Sequence, residues 1–159
     1  MEKYIITMPN NCIVKKNTAR HSSFYKDKLG NLIARKFPIT YYTSAYKEWA
    51  KTAIIACYNY RQVHPEIIFP LQGCYNLSCK FIFDKNIKVD ITNLLEGVQD
   101  VLTGNAGILE NTIPKELYQI LADDSVKNIG SLDNCRFVYL PADEPKTIVT
   151  LTEFDYGFI

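Results

Sequence analysis

Asn76-Leu-Ser-Cys-Lys-Phe-Ile-Phe83, followed after a charged link by Asp90-Ile-Thr-Asn-Leu-Leu-Glu-Gly-Val-Gln-Asp-Val-Leu102, changes hydrophobic period partway along. In the first half Leu77, Cys79, Phe81 and Phe83 alternate with Ser78 and Lys80, the period of a strand with one apolar face. In the second, Leu94, Val98, Val101 and Leu102 fall on one stripe of a helix. A one-faced strand and a one-striped helix can each bury their apolar side against the other, which predicts two layers. Upstream, Lys3 to Met8 reads as a strand ended by Pro9-Asn-Asn11. Gly30-Asn31 turns a hairpin, with Leu32 to Phe37 returning. Ser44 is a good N-cap for a long helix from Ala45 to Tyr60, with Trp49, Ala53, Ala56 and Tyr60 at helical spacing. Downstream, Thr112 caps a short helix from Ile113 to Leu121. Val126 to Ile129, Arg136 to Leu140 and Thr147 to Leu151 are short strands. The expected fold is α+β: one two-layer domain over residues 1–159, with a mixed, largely antiparallel sheet and two main helices.

A chain of 159 residues is long enough for a core of its own. With 47% hydrophobic and 22% charged residues, a disordered chain is excluded. No apolar run approaches the roughly 18 residues of a membrane span, and Met1-Glu-Lys3 begins no secretory pattern. The expectation is a cytoplasmic protein without membrane contact. The cysteines are Cys12, Cys57, Cys74, Cys79 and Cys135; with an odd number, no Cys-x-x-Cys and only 2 histidines, they suggest reduced thiols, neither a disulfide framework nor a zinc site. Net charge is only +1, but residues 1–60 carry ten Lys/Arg against three Asp/Glu, and residues 61–159 carry eight against fourteen. A basic half beside an acidic half suits a protein that holds a polyanion with one region and a metal with the other.

The acidic half carries the chemistry. Asp90 follows a charged turn or strand end and stands three residues before the cap of a helix expected to start near Thr92 or Asn93. A helix start at Asn93 would put Glu96 at the third position of a capping box, with Asn93, Glu96 and Asp100 on the face away from the apolar stripe. Asp123 and Asp124 stand side by side just before a strand, where alternate directions would let one bind metal while the other orients water. Carboxylates from separate elements repel one another unless a cation lies among them, and hard cations such as magnesium select such oxygen ligands. A metal-dependent reaction on phosphates is the reading if the two segments meet. The alternative is structural: Asp90 and Thr92 cap a helix, and Asp123-Asp124 makes a turn. Lys15, Lys16 and Arg20, followed by Lys26, Lys28, Arg35 and Lys36, are the candidates for phosphate contacts, with Asn17 positioning the basic loop.

In order along the chain, Lys15-Lys-Asn17, Tyr42-Thr-Ser-Ala-Tyr-Lys-Glu-Trp49, Val89-Asp-Ile-Thr-Asn-Leu-Leu-Glu96 with Asp100, and Asp123-Asp-Ser125 resemble the segments of the RusA-like endodeoxyribonucleases, the phage and bacterial Holliday-junction resolvases. The resemblance runs from Met8 to about Thr152. It implies a homodimer that uses magnesium, with manganese as a substitute, to cut four-way or other branched DNA by paired incisions leaving 5′-phosphates. By the same resemblance Asp90, Asp123 and Asp124 are the catalytic, metal-binding carboxylates. Two positions depart from the family pattern: Thr92 stands at its second Asp and Glu96 at its Lys. Glu96 is the candidate to replace the lost carboxylate, and Lys88 or Lys127 to restore the positive charge. The stretch from Asp100 to Asp123 is longer than in compact relatives, with a short helical insertion expected at 111–121. Thr92, Glu96 or that insertion supplies the competing reading, a catalytically weak or inactive protein that binds DNA junctions.

Overall fold

The computed structural model describes residues 2–13, 20–41, 44–109 and 112–154. Its main sheet is built from β1 (Lys3–Pro9), β4 (Tyr75–Phe83), β5 (Ile129–Ser131), β6 (Arg136–Tyr139) and β7 (Lys146–Glu153). β2 (Arg20–Lys26) and β3 (Leu32–Tyr41) form a separate antiparallel hairpin. Three helices are described: α1 (Ser44–Val63), α2 (Ile91–Leu102) and the short α3 (Lys115–Tyr118). β7 lies between β1 and β4 and is antiparallel to both, whereas β5 and β6 each run parallel to β4. The sheet is therefore mixed and mostly antiparallel, as the strand patterns imply. No described helix is long and apolar enough to cross a membrane.

Alternation sets which face of the sheet is covered. Tyr4, Ile6 and Met8 of β1, Leu77, Cys79, Phe81 and Phe83 of β4, and Val149 and Leu151 of β7 all point inward and are buried. Against them pack Trp49, Ala50, Ala53, Ile54 and Cys57 of α1 and Leu94, Val98, Val101 and Leu102 of α2, in one continuous core. The two helices cross where α2 carries Gly97: a Cβ there would lie 3.5 Å from the Trp49 ring and 3.7 Å from the Ile13 carbonyl oxygen. Phe81 sits at the centre of this core with no exposed surface. Phe81→Ala is expected to cost about 3–5 kcal/mol through lost burial and the cavity left behind. Urea denaturation would measure it as a lower midpoint at unchanged slope.

Three local expectations need correction. α2 starts at Ile91 with Asp90 as its N-cap, so Asn93 and Glu96 form no capping box. The cap thus falls three residues earlier than that pattern would put it, with the Asp90 carboxylate accepting from the Thr92 N–H. The helix expected from Ile113 to Leu121 is a single turn, Lys115–Tyr118, with Pro114 as an N-cap that makes no side-chain hydrogen bond. Its continuation is lost because Ile120 and Leu121 turn their N–H groups onto the Leu102 carbonyl, at 2.8 and 3.0 Å, and Leu121 bridges to Leu71. Val126 to Asn128 form a turn in which Asn128 and Ile129 both donate to the Ser125 carbonyl, so β5 begins only at Ile129.

Candidate functional site

Asp90 stands exposed at the head of α2 in extended backbone, φ −85° and ψ 120°. Its Oδ1 accepts from the Thr92 N–H at 2.9 Å and from the Thr92 hydroxyl at 2.7 Å. A carboxylate at this place is stabilised by the unpaired amides and positive end of the helix. Thr92 therefore acts on Asp90 itself, fixing its carboxylate with two donors. Asn93, Glu96 and Asp100 are partly exposed along the same helix, and Lys88 is exposed just before it. The expected grouping of acids along α2 thus holds as a face of the helix.

The second acidic segment is elsewhere. Asp123 and Asp124 follow Leu121, whose N–H is bound to Leu102, the last residue of α2. Asp90 caps the first. A helix of 12 residues separates the two anchor points by about 18 Å. The strands agree: Asp90 follows the Phe83 end of β4, whereas the residues after Asp124 join β4 at its other end, where Ile129 pairs with Tyr75. Asp123-Asp124 is also a bend rather than an extended pair, with Asp123 Oδ1 accepting from the Asp124 N–H at 2.8 Å. Hydrogen bonds from the Ser125 side chain and the Asp124 amide hold the Asp123 carboxyl below the usual carboxylate range. Lys127 is exposed beside this pair, at the far end from Asp90. Among the described residues no three Asp, Glu, His or Cys side chains come together as a metal site. Asp90 and the Asp123-Asp124 pair are thus anchored toward opposite ends of α2.

The basic candidates divide similarly between what is placed and what is not. Lys15, Lys16 and Asn17 lie outside the described residues. Arg20 opens β2, Lys26 closes it, Lys28 stands in the turn, and Arg35 and Lys36 lie on β3, so five cations scattered in sequence share one ribbon. Its turn is held by Asp27, whose Oδ1 accepts from Leu29 and Asn31 amides at 2.8 and 2.9 Å while Gly30 takes φ +84°. These donors lower the Asp27 pKa and keep the turn formed under mildly acidic conditions.

Two pairs escape a reading by motif because strand register, not spacing, creates them. Lys80 of β4 is the direct partner of Arg136 of β6. One residue earlier, Cys79 lies beside Cys135, and all five cysteines are free thiols. A hydrogen bond from the Cys79 thiol pulls the half-buried Cys135 down to about 7, while the Cys79 thiol is pushed well up by the same bond and by burial. The Cys135 thiol is thus more acidic than an ordinary cysteine. Iodoacetamide at pH 7 is expected to modify Cys135 well before buried Cys57 and Cys79, and peptide mass spectrometry would read the order. At pH 5 the rate of Cys135 modification should fall by about fiftyfold, because its thiolate is protonated.

No protein-family model matches the chain, and no curated protein is significantly similar to it in sequence.

Proposed function

We propose that this chain is a RusA-like, magnesium-dependent endodeoxyribonuclease that cuts four-way or branched DNA in pairs of incisions leaving 5′-phosphates. The observation that carries this reading is Asp90: an exposed carboxylate, held by two Thr92 donors at a helix N-terminus, in a chain that also carries five basic residues on one hairpin. Helix capping alone accounts for one of the two hydrogen bonds, but it does not account for the basic ribbon.

The distance between Asp90 and Asp123-Asp124 adds a condition. One protomer does not assemble the carboxylates, so on this reading the site is completed in a homodimer: Asp90 of one protomer faces Asp123 and Asp124 of the partner subunit. A two-fold axis would then generate two equivalent sites, matching the two incisions a four-way junction requires. Glu96, on the Asp90 side, is the remaining carboxylate in reach of such a site.

A second reading is a junction-binding protein with little or no cleavage. It is favoured by the single-protomer geometry, in which the described residues include no three-carboxylate group. Incubation with a four-way junction and with a linear duplex of the same sequence, in magnesium, separates the two. Cleavage confined to the junction supports the nuclease; salt-sensitive binding with no cleavage of either supports the second reading.

A further inference from the structure

Both large helices pack on one face of the main sheet, and among the described residues the opposite face is largely open: Lys3, Ile5 and Thr7 are exposed and Lys80, Ile148 and Thr150 partly so, while Ile82 is buried. Alternation sends Lys3 of β1, Lys146 of β7, Lys80 of β4 and Arg136 of β6 to that open face, and no strand position facing the same way is acidic. At its centre is a groove of about 300 Å³ lined by Ser78, Lys80, Asn134, Arg136, Ile148 and Thr150. Lys80 and Arg136 are register partners on parallel strands, so their backbones are only about 4.8 Å apart. Like charges placed opposite one another on a sheet are unfavourable. Neither meets a carboxylate within ion-pair distance among the described residues. The nearest acid in sequence, Asp133, accepts instead from the Ser131 hydroxyl at 3.1 Å. Two adjacent cations without a carboxylate partner among the described residues, flanked by the Ser78 and Thr150 hydroxyls, form an arrangement that a bound phosphate would neutralise and hydrogen-bond.

We propose that this open sheet face is a second DNA-binding surface, with Lys80 and Arg136 holding backbone phosphates of one duplex arm. The assignment rests on the reading of the protein as DNA-binding, but not on its being a nuclease. The outward positions of β1, β4, β6 and β7 carry no aromatic residue, so the face has no platform on which to stack bases. Phosphates of a paired strand suit it better than an unpaired one. The contacts would be insensitive to sequence and sensitive to salt. The β2–β3 ribbon belongs to a different sheet, so a branched substrate would have two basic elements available to its arms.

The test is fluorescence anisotropy on the full chain with a labelled four-way junction and a labelled duplex, each titrated at several salt concentrations. K80Q/R136Q is compared with K47Q/K115Q, which removes the same charge from the helical side. K80Q/R136Q is expected to bind at least about tenfold more weakly at low salt, with the log–log salt slope reduced by about 2. K47Q/K115Q should stay near wild type. Thermal unfolding of K80Q/R136Q should give an unchanged or slightly raised Tm, since a like-charge pair is relieved. Unchanged DNA binding by K80Q/R136Q, or an equal loss in both variants, would overturn the proposal, as would binding to anionic vesicles but not to DNA. If wild type cleaves while K80Q/R136Q binds normally, only this surface is wrong. If K80Q/R136Q selectively loses binding and wild type never cleaves, the surface stands and the nuclease reading fails.

Discussion

Asp90→Asn is expected to reduce magnesium-dependent junction cleavage by about a hundredfold or more, in line with the loss of a group essential to a metal site. It should leave folding almost untouched. Asparagine caps a helix about as well as aspartate, and its side-chain oxygen can still accept from the Thr92 amide and hydroxyl that now bond Asp90. Asp90→Ala would confuse the two effects, because loss of the cap costs about 1 kcal/mol. Cleavage rates measured beside thermal unfolding therefore distinguish a chemical role from a structural one. A D90N protein that unfolds like wild type but no longer cuts places the carboxylate's charge in the reaction. A D90N protein that still cuts confines Asp90 to capping α2.

Mixing two inactive variants should restore activity. Asp90 and the Asp123-Asp124 pair are anchored toward opposite ends of α2, so on the proposed reading a metal site using all three draws them from two protomers. D90N lacks one half of each shared site, and D123N/D124N lacks the other. When the two are mixed and allowed to exchange, half the dimers are mixed and each contains one intact site, giving about a quarter of the wild-type sites. Those dimers should nick one strand of a junction without the paired second incision. A site contained within one protomer makes the opposite prediction: the mixture stays as inactive as its components. The restored nicking is large against that background, and neither a folding defect nor a change in DNA affinity would produce it.

Much of this fold is legible from local pattern, because burial enforces it residue by residue. The alternation of Leu77, Cys79, Phe81 and Phe83 and the stripe Leu94, Val98, Val101 and Leu102 correspond to fully buried faces of β4 and α2. The hairpin around Gly30 and the long helix containing Trp49 are similarly apparent. Boundaries are less so where two local solutions compete. Asn93 with Glu96 has the spacing of a capping box, but the Asp90 carboxylate takes the first-turn amide of Thr92 instead. Ile113 to Leu121 looks helical until Leu121 finds a bridge partner at Leu71, a contact 50 residues away in sequence. Strand order lies beyond periodicity altogether: nothing local places β7 between β1 and β4, or Arg136 beside Lys80. The same limit applies to the site. The motif at Asp90 is visible in the sequence together with its helix, but only the hydrogen bonds of Ile120 and Leu121 to Leu102 reveal that the helix separates it from Asp123-Asp124.

The most direct measurement is cleavage of an end-labelled four-way junction by the wild-type protein, in magnesium and in excess chelator, with both products mapped and tested for ligation. Symmetric nicks that need magnesium and reseal with ligase are the expected result, since 5′-phosphate ends are ligatable. A junction that is bound tightly at low salt and remains uncut in magnesium and in manganese would contradict the account.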